Sequence, residues 1–133
     1  MNFIKLFLAV GERDDFILMS GWEDLLIPSL AMGIDTFTMG GPGNMFPALA
    51  KEIISKYQAG QQGEALELFL KITRFQHEIY ALPCGALPAI KAVMNILNLC
   101  SELMVAPTPS ASKEEMEFIR KAMVRSKLFP SVL

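Results

Sequence analysis

The segment from Phe16 to Pro47, FILMSGWEDLLIPSLAMGIDTFTMGGPGNMFP, restricts the fold more than any other part of the chain. It opens with the apolar run Phe16-Ile17-Leu18-Met19, too brief for a helix of its own. A run that is apolar at every position, rather than at every second one, marks a strand covered on both faces, as in a parallel sheet. Ser20 and Glu23 then have the spacing of a capping box. A helix is predicted from about Trp22, with Pro28 early, where its missing N–H is tolerated, and Gly33 at the end. Residues 35–39 follow as a second strand, with Thr36, Phe37 and Thr38 favouring that conformation. The turn Gly40-Gly41-Pro42-Gly43-Asn44 leads into another helix. The expected arrangement is one βαβ unit with polar residues gathered where each strand ends, and in parallel α/β sheets those ends carry the chemistry. Two parallel strands alone, however, leave both sheet edges open.

The rest of the chain reads as helices. Residues 2–11 form the first, with Phe3, Phe7 and Val10 on one side and Gly11 closing it. After Asn44, a stripe of Phe46, Leu49, Ala50, Ile53, Ile54 and Tyr57 runs to Gly60, with Pro47 in the first turn. A longer helix runs from Gln62 to about Tyr80, with Ala65, Leu68, Phe69, Ile72, Phe75 and Ile79 inward, and Pro83 breaks the chain after it. Residues 88–98 form the next, with Ile90, Val93, Met94 and Leu97 inward. Residues 99–111, with Pro107 and Pro109, read as a connector. Ser112 and Glu115 make a second capping box and open the last helix, whose inward residues are Met116, Ile119 and Met123.

Composition removes several classes of function. With 133 residues, 52% of them hydrophobic and 20% charged, the chain can bury a core and is not disordered. A net charge of −2 and the absence of a basic run speak against nucleic acid as a partner. No apolar run approaches the ~18 residues of a membrane span. The N-terminal MNFIKLFLAV has one Lys, no small-residue cleavage site and GERDD directly after it, so it reads as a helix rather than a leader. A cytoplasmic protein with no membrane partner is the expectation. Cys84 and Cys100 have no metal-type spacing and read as buried free thiols. His77, the sole histidine, falls on a polar helix face without a partner pattern, so neither a metal site nor a Ser-His-Asp set is predicted.

The order S-G-x-[DE]-x-x-L-x-P-x-L-x-x-G, then G-x-D, then N-x-x-P, is carried by Ser20, Gly21, Glu23, Pro28, Leu30, Gly33, Asp35, Asn44 and Pro47. In this order, and in the segments PAIKAVMNILNL and PTPSASKEEMEFIRKAM, the chain resembles the C-terminal half of the pyruvate-dependent class I aldolases, the dihydrodipicolinate synthase and N-acetylneuraminate lyase family. The resemblance covers nearly the whole chain from Phe16 onward. It implies an α/β fold, the C-terminal part of a (β/α)8 TIM barrel: about two parallel strands in a βαβ unit, then a helical C-terminal extension. Residues 1–59 would be the last βα units and residues 60–133 the extension, together one structural unit. A barrel of this kind takes about 250 residues.

What the resemblance implies about function follows from which strands are present. The family's Schiff-base lysine sits on strand six and its proton-relay tyrosine on strand five, both outside the part that this chain resembles. No catalytic residue is therefore assigned. None of the lysines lies at a strand's C-terminal end, where a desolvated amine is needed. The expectation is a fragment of a lyase or aldolase acting on a 2-oxo acid such as pyruvate, inactive by itself, from a family of homo-oligomers that uses no cofactor. The expected substrate-binding residues are Gly21, Glu23 and Asp24 after the first strand, and Gly40 and Gly41 after the second. Glu23 and Asp24 suit paired hydroxyl groups, and equally suit the start of a helix. Trp22 leans toward the sugar-acid lyases. The glycine turn lacks GxGxxG and the P-loop lysine, and the other reading is a tight turn with Asn44 as a cap. The alternative function is a non-catalytic helical module for self-association or partner binding, motivated by the two open strand edges.

Overall fold

The apolar stripes at helical spacing fold as that spacing predicts, and the expected strands do not become a sheet. The computed structural model describes residues 3–11, 13–21 and 23–129. The chain divides into two compact units, Met1–Gly40 and Gly41–Leu133.

In the first unit, helix α1 spans Phe3–Val10, and the Gly11 N–H closes it on the Phe7 carbonyl at 2.7 Å. Residues 16–19 and 35–39 contain no regular strand; one isolated parallel bridge joins Ser20 to Phe37. The physical reason is the lack of neighbours. A strand needs a ladder of partners, and here, among the described residues, each segment has only the other, for two hydrogen bonds: Ser20 N–H to the Thr36 carbonyl (3.0 Å) and Thr38 N–H to the Ser20 carbonyl (2.9 Å). The run expected to be covered on both faces is open, with Phe16, Ile17 and Met19 exposed.

The helix between these segments also starts differently from the capping-box reading. A 3₁₀ turn covers Glu23–Leu25 and runs into α2, Leu26–Ala31, with no side-chain cap at Leu25. The Ser20 hydroxyl is spent on no cap: it is buried and has no hydrogen-bond partner among the described residues. Trp22 lies outside the described residues. Gly33 ends the element at φ +81°, a left-handed conformation that a Cβ would strain.

The second unit is helical. The glycine-rich turn forms a four-residue helix, α3, Pro42–Met45, with Asn44 inside it. The cap position before α4 (Pro47–Gln58) is Phe46, so the expected cap by Asn44 is not made. Gly60, at φ +80°, turns the chain into α5, Gln62–Tyr80, and Lys56 fastens the two helices by reaching Glu64 at 2.6 Å. Helix α6 spans Ala86–Ile96 and α7 spans Lys113–Ser126. Helix α5 packs on α4, α6 and α7. At the centre, the buried rings of Phe46, Phe75 and Phe129 meet edge to face or tilted, with centroids 5.2–6.2 Å apart. Both cysteines are free, but half-buried rather than buried. No described helix is long and apolar enough to cross a membrane.

The capping box expected at Ser112 is present in both directions. Glu115 N–H donates to Ser112 Oγ at 3.2 Å, and Ser112 N–H donates to Glu115 Oε2 at 2.7 Å. Glu115 Oε1 also accepts the Cys84 N–H at 2.8 Å, so one carboxylate joins the start of α7 to the turn between α5 and α6. The Ser112 backbone bond, more than any other influence, holds the Glu115 carboxyl below its ordinary range. The Cys84 thiol is pushed up to about 11, by burial first and the Glu115 charge second.

A folded-state pKa below the unfolded one contributes stability that is fully present above the ordinary glutamate range and is lost as pH falls through the depressed value. Glu115→Gln should therefore cost about 1 kcal/mol near neutral pH. It should also remove this acid-side loss. Urea unfolding midpoints of both proteins between neutral and strongly acidic pH check the pair of outcomes.

Candidate functional site

The bridge at Ser20 fixes where the polar residues fall. Ser20 spends both its N–H and its C=O on the second segment, which sets Gly21 beside Thr38. A Cβ on Gly21 would stand 3.0 Å from Thr38 Oγ1, so glycine at 21 is what lets the threonine hydroxyl come this close. A Cβ on Gly40 would lie 4.0 Å from Glu23 Oε1, an ordinary contact distance, so the carboxylate is a neighbour of Gly40. Gly21 and Glu23, named from the sequence after the first expected strand, and Gly40, named after the second, thus share one rim with Thr38. Asp24 follows Glu23 in the same 3₁₀ turn. Glu23 and Asp24 are half-buried, and Gly21 and Gly40 are exposed.

Gly41 opens the second unit. It is buried, and its carbonyl accepts the Asn44 and Met45 N–H groups at 3.1 and 3.0 Å as α3 begins. His77 is exposed on α5. No group of three or more His, Cys, Asp or Glu among the described residues could hold a metal ion.

Two rim residues were missed in the sequence. Thr38 was read only as a strand former, because nothing in the sequence sets the register that faces it to Gly21. Ser20 was read as a cap, because S-x-x-E is a local signal, and the bridge that instead buries the serine is not local. Lysines are absent from the rim. Lys5 is the only one in the first forty residues, and it is exposed on α1. Lys127, expected at a helix end, sits there in a left-handed conformation, φ 55°.

The sequence pattern of the Dihydrodipicolinate synthetase family matches residues 4–125. This chain belongs to that family. It is 26% identical to the 4-hydroxy-tetrahydrodipicolinate synthase of Methanopyrus kandleri over 117 residues, 88% of this chain and 38% of the relative. It is 30% identical to an uncharacterized DapA-like lyase of Thermofilum pendens over 88 residues, 66% of this chain and 29% of the relative. Its fold is similar to that of the dihydrodipicolinate synthase of the commensal bacterium Bacteroides thetaiotaomicron, with a TM-score of 0.82 at 24% identity, covering 90% of this chain and 41% of that one. The matched part of the chain thus covers less than half the length of each of these proteins. The resemblance read from Ser20 to Pro47 and the closing helices is that of the family.

The contact between positions 21 and 38 gives a direct test of the rim. Gly21→Ala should displace the Thr38 side chain and cost about 1 kcal/mol by overpacking. Thr38→Ala should be near neutral, and the double variant should regain most of the loss. Urea unfolding of the three proteins closes the cycle.

Proposed function

We propose that this chain supplies the closing rim and the helical extension of a lyase or aldolase that acts on a 2-oxo acid such as pyruvate. The reading rests on family membership. One observation shapes it: Lys5 and Lys51 are consecutive lysines in the sequence, and the whole rim from Gly21 to Gly40 lies between them. Imine chemistry needs a neutral amine aimed at the bound carbonyl, and the rim offers none. In this reading, residues 1–59 are the last βα units of a TIM barrel and residues 60–133 its extension. Gly21, Glu23, Asp24 and Gly40 meet the part of the substrate away from the imine. Glu23 and Asp24 accept hydrogen bonds from it, and the exposed Gly21 and Gly40 let it approach the backbone. The lysine and the groups that hold the substrate carboxylate belong to strands that this chain does not carry. The chain alone is inactive, and its setting is the cytoplasm.

A second reading, a helical module that self-associates as members of the family do, draws on apolar side chains exposed in the second unit: Leu66 and Leu70 on α5, and Leu103 and Val105 in the connector. A site-based role is favoured over it because the rim residues converge, whereas the exposed side chains are spread over two separate stretches.

The chain incubated with pyruvate and borohydride should keep its unmodified mass. A stable reduced adduct on any of its lysines, read by mass spectrometry, would end the proposal.

A further inference from the structure

We infer that the second unit carries a binding site for a phosphoryl group, in a groove of about 200 Å³ between α5 and α7. The site lies wholly within that unit and does not rest on the lyase reading. Its lining is Lys71, Arg74, Phe75 and Glu78 from α5, with Arg125 and Ser126 from α7. Positions 71, 74, 75 and 78 fall on one helix face, so the α5 side chains arrive there together. Phe75 is buried and offers no polar atom. The Ser126 hydroxyl is already spent, donating to the Met123 carbonyl at 2.7 Å and accepting the Leu128 N–H at 3.2 Å. The groups left to meet a ligand are three cations and one carboxylate, in a chain whose net charge is −2.

These charges are unequally paired. Glu78 stands four residues after Arg74, the spacing of a helix ion pair, yet it reaches across to Arg125 on α7. The Arg74 guanidinium is left with no ion pair or hydrogen bond among the described residues. Lys71 has only Glu67, at 3.4 Å with both side chains more than half exposed, a pairing of little strength. Arg125, by contrast, is held on two sides, by Glu78 and by the ring of Phe118, whose centroid lies 5.7 Å from its Cζ. Arg120 and Lys121 continue the positive charge along α7 beside Arg125. One cation of the groove is thus fixed in place, one is loosely tied and one is uncommitted.

Size, charge and geometry choose the ligand. The groove is smaller than the ~300–1,000 Å³ of sites that enclose a drug-sized molecule, so it fits one charged group rather than a whole metabolite. A carboxylate brings a single charge and competes with Glu78 on equal terms. A phosphoryl group brings up to two negative charges at neutral pH and three acceptor oxygens. A guanidinium meets such oxygens with two parallel N–H donors, and a lysine adds a movable third. Arg74 and Lys71 take the oxygens, and Arg125 stands fixed beside them. Glu78 faces the same groove and opposes the anion, so its charge sets a ceiling on affinity. The group arrives as free phosphate or on a small ester, the rest of which lies over Arg120, Lys121 and Val124.

The test titrates the full chain with inorganic phosphate, glycerol phosphate and acetate at constant ionic strength, followed by calorimetry and by the arginine side-chain N–H signals in NMR. Inorganic phosphate should bind saturably, shift the Arg74 signal and exceed acetate in affinity by about tenfold or more. Arg74→Gln, and independently Lys71→Gln, should weaken phosphate binding by about tenfold, as the loss of a hydrogen bond to a charged group does. Glu78→Gln should tighten it severalfold. Lys51→Gln makes the same charge change at an exposed position of α4 and should leave the affinity unchanged. Tighter binding of glycerol phosphate than of phosphate identifies an ester as the ligand, and equal or weaker binding identifies the free ion; both uphold the site. Three results would each overturn the inference: no saturable phosphate binding, acetate bound as tightly as phosphate, or the same weakening by Lys51→Gln as by Arg74→Gln, which marks diffuse attraction to the whole surface.

Discussion

Two backbone hydrogen bonds at Ser20 carry the whole arrangement of the rim. Among the described residues they join the segment after α1 to the segment after α2 as a parallel pair, and they set Gly21 against Thr38. The same bonds set the cost of the arrangement. A single bridge satisfies one residue's backbone and leaves its neighbours facing outward, together with their apolar side chains. Polar convergence and apolar exposure in the first unit are thus two results of one constraint.

The second unit shows what the first lacks. Its helices satisfy their own backbones, and each needs only one covered stripe. Helix α5 provides the common wall, and the rings of Phe46, Phe75 and Phe129 close the centre from three different parts of the chain. Surface ion pairs such as Lys56 with Glu64 and Arg125 with Glu78 add little beside that burial. Glu115 does more, because its two oxygens serve two backbone N–H groups on different elements.

What was legible follows the same division. A helix writes its contacts into the local sequence: Ala65, Ile72, Phe75 and Ile79 declare the inner face of α5, and Ser112 with Glu115 declares the start of α7. A strand does not, because its partner lies elsewhere in the chain. Phe16 to Met19 read as a covered strand by composition, but composition cannot supply the neighbour that covers it. The capping signal at Ser20 and Glu23 failed for a related reason: a nonlocal bridge competes for the serine and buries it. Of the rim, Gly21 and Glu23 were named from motif order and Gly40 from the glycine turn after the second expected strand, whereas Thr38 needed the register. Gly41 was legible as part of the turn, and its burial was not.

Family membership and local physics meet at the rim. The family pattern runs from residue 4 to residue 125, through both the exposed pair and the self-sufficient helices. Selection for folding alone would favour guarding Ile17 and Met19 with charge, since an unguarded edge invites aggregation. Ile17 and Met19 are instead apolar and exposed, and Gly21 stands next to a threonine whose hydroxyl would crowd a side chain at that position. An exposed apolar run thus lies beside a rim shaped by missing side chains. The helices of the second unit require neither, which is why the exposed apolar run and the converging polar rim occur together in the first unit.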